Sequence, residues 1–235
     1  GFKIKLDAVL GKFVGTDNEI YYNEIRKVRA NNLTVITADD VSNAEKIVEE
    51  LRNNPFTKDI VNIVNSKRYS VYNQLQVENY VVLVHSFKSM MDKVIVDHEE
   101  QTIQVYDLKC TWSVENFLEE YYLYRRAYIQ AYLYFIAAHA FRDSKEELEG
   151  YKVLPPKFLV CDSTNYYNPL VYSLSGDDLT DAYIGFTYKG REYKGVQTLI
   201  KDLTWALENN VWNISRENYL NDGIINIYGS KKDNN

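Results

Sequence analysis

Asp92, Asp107 and Lys109 are the residues of this chain whose types and order could do chemistry together. Asp107-Leu108-Lys109 closes an apolar stretch that reads as a strand. Strand side chains alternate, so Asp107 and Lys109 share one face while Leu108 points the other way. Asp92 lies on the strand before. If the two strands pair through their short connection, two carboxylates converge at a strand end. That suits a hard divalent cation such as Mg²⁺, which takes oxygen ligands and keeps several waters. A lysine beside such an ion can orient or help deprotonate an attacking water, or steady phosphate charge. The acid-x-Lys pattern also occurs as Asp143-Ser144-Lys145 and Glu192-Tyr193-Lys194, but both lie in charged segments. Taken alone, Asp107 and Lys109 equally fit a solvated strand end with a surface ion pair.

A second set follows on a helical pattern. Gln130 and Tyr134 stand at i and i+4, with Arg126 one turn earlier, so the three share a helix face. Such a stripe can meet a phosphate backbone or a base edge with charge, amide and ring. The alternative places Tyr134 in the core and Gln130 on the helix surface. Arg125 and Arg126 adjoin the carboxylate pair and extend a basic track. Lys189, Arg191 and Lys194 form another basic cluster between two helices, or an ordinary solvated loop.

The elements that must position these residues follow from periodicity. Helical spacing covers 17–29, and 33–37 reads as a short strand. Ser42 with Glu45 forms a capping box that opens a helix through Ala44, Ile47, Val48 and Leu51 to about 53, where Asn53-Asn54-Pro55 stops it. A short helix is expected over 58–65. The period then falls toward 2, giving strands over 70–84, 87–97 and 102–109 in an antiparallel meander, with a turn at His98-Glu99-Glu100. A long helix is expected over 113–141, strands over 157–162 and 170–174, helices over 177–187 and 195–209, and a last strand over 224–228. The order predicts an α/β or α+β layered domain.

Composition bounds what this can be. The 235 residues are 46% hydrophobic, enough for a sizeable core. No apolar run approaches the ~20 residues of a membrane span. No basic-then-apolar leader opens the chain, which predicts a cytoplasmic location, in a bacterial or phage-infected cell. A start at Gly1 rather than Met suggests that upstream residues are missing. The net charge of −6 argues against a surface that coats DNA throughout but leaves room for a local basic channel. Cys110 and Cys161 cannot build a four-cysteine metal site and read as free thiols. His85, His98 and His139 lack the spacing of a zinc hydrolase. The 21 tyrosines read as compositional, filling amphipathic core edges. With no internal repeat or Gly/Ser linker, 1–235 is expected to form one domain: a core over 70–175, an N-terminal helical portion over 1–66, and a disordered tail over 230–235.

The order Asp92, then Asp107-Leu108-Lys109, then Gln130-Ala131-Tyr132-Leu133-Tyr134 resembles the PD-(D/E)XK nuclease superfamily, in its RecB/RecE-like and lambda-type phage exonuclease branch. The stretch from Met91-Asp92 to Asp107-Leu108-Lys109-Cys110-Thr111 is similar to the core of phage-encoded members. The resemblance covers about residues 70–140. It implies a restriction-endonuclease-like core, a central mixed sheet flanked by helices, with the site at one sheet edge. It implies that Asp92, Asp107 and the Leu108 carbonyl bind Mg²⁺ or Mn²⁺, with Glu78 as a further upstream acid. Lys109 would position the attacking water, and Gln130 and Tyr134 would support the site or touch DNA. The implied activity is hydrolysis of DNA phosphodiester bonds by an exonuclease of phage or mobile-element recombination. It would work beside a single-strand annealing or recombination protein, with oligomers known among relatives. The alternative is a nuclease-like fold that no longer cuts and serves as a nucleic-acid-binding or assembly module. Two departures stand out. Many members carry a Gly shortly before the first Asp, where this chain has Ser86-Phe87-Lys88-Ser89-Met90-Met91, whose bulky methionines would narrow the approach. Cys110 replaces a commoner Thr.

Overall fold

From Tyr69 onward the alternating pattern is realised as strands, and they carry the architecture. The structure, a computed structural model, describes residues 13–166 and 168–225. The chain divides into two compact units, 1–48 and 49–235. The first holds α1 (Asp17–Ala30), of which no residue is buried, and most of α2 (Ala38–Asn53). Helix α2 begins four residues before the expected Ser42 cap. Thr37 Oγ1 accepts from the Asp40 backbone N–H at 3.1 Å, and Asp40 Oδ2 accepts from the Thr37 N–H at 2.8 Å, so this pair makes the capping box instead. Residues 33–37 are not a strand, because β propensity without a neighbouring ladder has nothing to pair with.

The second unit is built on a six-stranded mixed sheet in the order β1-β2-β3-β5-β6, with β4 also against β3. Strands β1 (Tyr69–Val82), β2 (His85–Asp97) and β3 (Thr102–Thr111) form the expected antiparallel meander. Strands β4 (Lys152–Val153) and β5 (Lys157–Asp162) run parallel to β3, and β6 (Leu170–Ser173) returns antiparallel to β5. Helix α4 (Ala127–Asp143) makes the crossover from β3, and the short α3 (Lys58–Val61) precedes β1 in the chain. The expected class, α+β with a central mixed sheet flanked by helices, is the one observed.

Helix α4 packs one sheet face. The small methyl side chains of its Ala137 and Ala138 let helix and sheet approach closely, and they lie with Phe141 in one cluster with Val94, Val96, Ile103 and Val105. A second cluster joins Ala127 and Ala131 to Phe117, Phe158 and Val160. On the opposite face, Leu51 and Thr57 are buried, and half-buried Lys93 donates to the carbonyls of Val61 and Ile63.

The long helix expected over 113–141 is broken. A π-helical turn covers Leu118–Tyr124, Arg126 takes a left-handed φ of 58°, and only then does α4 begin. Packing overrides periodicity. Phe117 is wedged between Phe158 and Tyr172, and Tyr121 reaches the Cys110 carbonyl at 3.0 Å, which the wider turn permits. Later, α5 (Gly176–Ile184) is shorter than expected. Gly185, at φ 102°, ends it and opens a hairpin of β7 (Gly185–Tyr188) and β8 (Arg191–Lys194). Helices α6 (Val196–Asn209) and α7 (Arg216–Leu220) close the described chain. The expected strand over 224–228 lies mostly outside the described residues, as does the tail over 230–235. Among the described residues no helix is long and apolar enough to cross a membrane.

Candidate active site

The site forms where two strands part. The β2–β3 ladder ends at the pair Lys93–Tyr106, so Asp92 and Asp107 occupy the next position on each strand. Beyond it β3 stays paired with β5 through Thr111, while β2 stays with β1. In the fork, the Leu108 N–H donates to Asp92 Oδ2 at 2.9 Å, replacing a ladder bond with a carboxylate.

A second irregularity meets the fork. Gln74, beside Asp92 on β1, has φ 53°, and the ribbon of β1 and β2 turns over there. Before the turn Tyr72, Val94 and Val96 face the core; beyond it Leu75, Val77 and Met91 do. A strand that reverses its faces at one residue frees that residue's side chain from either layer. Gln74 Nε2 donates to Asp92 Oδ1 at 3.1 Å, so both Asp92 oxygens are held. Gln74 was not among the expected site residues; its only sequence signal is a polar residue in mid-strand. Of the two methionines expected to crowd the approach, Met91 is fully buried in the core and Met90 is half exposed.

Asp107 is only 2% exposed and lies on the central strand, so the site is not at the accessible sheet edge that the resemblance implied. Burial pushes its carboxyl up to about 6; Lys109 pulls it down, and the neighbouring Asp92 pushes it up again. Lys109 Nζ stands 2.6 Å from Asp107 Oδ2 as an ion pair. That oxygen is buried, and the ammonium is the counter-charge that meets it. A buried carboxylate is costly unless its charge is met in this way.

Gln130 and Tyr134 both belong to this cluster. Gln130 Nε2 lies 3.3 Å from Asp107 Oδ1 and 2.8 Å from the Tyr134 hydroxyl, which donates to the Met90 carbonyl at 2.8 Å. Burial, with the Asp107 charge, holds the Tyr134 phenol up at about 12, so it stays a donor. The buried Tyr134 braces β2 against α4 rather than facing a ligand.

Other expected residues stand elsewhere. Glu78 is not brought to the cluster: Lys88 lies opposite it in the ladder and pairs with it at 2.8 Å, and Gln76 also donates to it. Arg126 is exposed at the left-handed junction before α4, off the Gln130–Tyr134 stripe, because the helix does not extend back to it. Arg125 is exposed, with its guanidinium 4.3 Å from the Tyr121 ring centroid. The second basic cluster lies between two helices as expected, on the β7–β8 hairpin that joins α5 to α6. Two of its cations are already engaged, Lys189 with Glu119 and Lys194 with Asp202, and Arg191 lies over Tyr193. Cys110 and Cys161 are free thiols in register on β3 and β5.

The donor set can be tested for a metal. Among the described residues no three His, Cys, Asp or Glu side chains converge. Two adjacent carboxylates, one of them buried, fit a hard ion that completes its shell with water and backbone oxygen. They do not fit a soft ion that needs an all-protein cage.

No protein-family model and no curated protein matches this sequence. Among solved structures the chain is similar to the crystal structure of a putative exonuclease from Eubacterium rectale. The identity is 13% and the TM-score 0.49, over 93% of this chain and 74% of that one.

Proposed function

We propose that this chain is a metal-dependent nuclease that hydrolyses DNA phosphodiester bonds. The observation that supports this most is the pairing of Asp92 with buried Asp107 at the β2–β3 fork, with Lys109 beside them. Asp92, Asp107 and the Leu108 carbonyl would hold Mg²⁺ or Mn²⁺, whose charge would offset that of the two carboxylates. Bound there, such an ion supplies Lewis acidity toward a phosphate oxygen and lowers the pKa of a bound water. Lys109 places a fixed positive charge where phosphate charge builds up, and it can orient a water by donating to it. Gln130 fixes Asp107 and Gln74 fixes Asp92, so neither carboxylate must reorganise. The narrower assignment, a PD-(D/E)XK exonuclease of phage or mobile-element recombination, draws its support from the motif order Asp92, Asp107-Leu108-Lys109, Gln130 and Tyr134.

Degradation of linear duplex and single-stranded DNA in Mg²⁺ and in Mn²⁺ tests this. Asp107→Asn should abolish cleavage and metal affinity together. Lys109→Ala should lower turnover by roughly 10²–10³ while metal binding survives. A wild-type protein inert on every substrate yet still binding DNA would make the chain the non-cutting module. Cleavage that persists in Asp107→Asn would mean that the site lies elsewhere.

A further inference from the structure

We propose that the groove at the carboxyl ends of β3 and β5 is a track for single-stranded nucleic acid, with Trp112 and Phe56 as base-stacking rings; this rests on the nuclease function proposed above. The groove holds about 630 Å³, and Phe56, Trp112, Ser113, Asp162, Asn165 and Asn168 are among its lining. Its two rings come from distant parts of the chain, the turn between α2 and α3 and the residue that follows β3. Both stay largely in water, Trp112 59% and Phe56 58% exposed. Isolated exposed aromatics need no explanation, but two of them lining one groove beside a reactive cluster do.

Both rings are mounted on tied backbone. Trp112 Nε1 donates to Glu120 Oε2 at 3.0 Å, which anchors the indole to the π-helical turn. The Phe56 N–H donates to Asn54 Oδ1, and Asn54 Nδ2 donates to Asn168 Oδ1 at 2.7 Å, joining the Phe56 turn to the opposite wall. An indole held in this way loses little freedom when a ligand covers it, and the Phe56 ring stands on a fixed turn.

The charges indicate which part of the ligand enters. Asp162 is buried, and its Oδ1 accepts from the backbone N–H groups of Thr164 and Asn165 at 2.7 Å each, so its charge is spent on its own loop. Glu115 remains an exposed acid in the lining. A phosphate chain is thus repelled from the groove floor while uncharged base faces are not. Phosphates have their own route: Arg125 lies on Tyr121, and the Tyr121 hydroxyl is tied to the Cys110 carbonyl, next to Lys109. From Lys109 to Trp112 is three residues, roughly 10 Å along the chain, so the Trp112 ring stands just past the end of β3, within a few nucleotides of the proposed scissile phosphate but on the Leu108 side of the strand. A duplex keeps its base faces in its own stack, so a groove that captures faces selects unpaired strand.

Anisotropy of a labelled oligothymidine of about 12 nucleotides, and of a blunt duplex of equal length, measured in EDTA, tests the proposal. Trp112→Ala and Phe56→Ala should each weaken oligothymidine binding about 5- to 150-fold, with Trp112→Phe close to wild type. Duplex binding should change little. Both positions are exposed, and thermal melts would confirm folded variants. Asp107→Asn should lose cleavage but keep oligothymidine affinity, which separates the groove from the reactive cluster. If wild-type protein cuts DNA while both alanine variants bind oligothymidine as it does, the track is overturned and the nuclease function stands. If wild-type protein neither cuts nor binds any nucleic acid, the nuclease function fails first and the track falls with it.

Discussion

Asp107 concentrates the opposing demands on this site. It is buried on a central strand, next to a second carboxyl, with one lysine as counter-charge. Because its folded pKa lies above the ordinary value, the folded protein holds more protons than the unfolded chain between about pH 4 and 6. Stability of the metal-free protein therefore falls as pH rises through that window, and the cost is fully present above it. Asp107→Asn should raise metal-free stability at pH 8 by about 1–3 kcal/mol and by little at pH 4, as read from urea unfolding at both pH values. Equal effects at the two pH values would place the shift on another group. The same substitution that removes activity is thus expected to stabilise the protein, as for a charge retained for chemistry rather than for folding.

At the scale of elements, close backbone contacts hold the layers that flank the sheet. A Cβ on Gly195, at the start of α6, would collide with the backbone of Tyr183 to Gly185. No flexible side-chain end is available to yield. Gly195→Ala should cost about 1–3 kcal/mol and lower the melting temperature by several degrees, without touching the carboxylates. Tyr134 acts across elements in another way, tying α4 to the Met90 carbonyl on β2. Tyr134→Phe should cost about 1 kcal/mol, since it leaves a buried acceptor without its donor. If Gln130 then loses its second partner and releases Asp107, metal affinity falls as well, and calorimetric titration with Mn²⁺ reads this directly.

For the whole molecule, a net charge of −6 makes nucleic-acid binding a matter of a few well-placed cations. Each neutralised phosphate adds about 0.9 to the slope of log affinity against log salt. Arg125→Ala should reduce that slope by about one unit. Lys189→Ala, whose cation is engaged with Glu119, should leave it unchanged. Binding measured across a salt series checks both. A loss of slope in Lys189→Ala would show that the hairpin gives up its internal pairs to bind.

Local pattern was enough to read the meander, the α+β class, and the relation of Asp107, Lys109, Gln130 and Tyr134, because alternation and helical spacing are properties of neighbouring residues. It misled where side chains from distant segments compete for one place. Phe117 wedged between Phe158 and Tyr172 broke the long helix and carried Arg126 off its stripe. Lys88 engaged Glu78 from the next strand. The depth of Asp107, the part played by Gln74 and the meeting of Phe56 with Trp112 were likewise invisible. Each depends on which strand parts from which, and on where a ribbon reverses its faces. Strand pairing between distant segments and the burial it creates are set by the whole packed chain, so only the tertiary structure decided them.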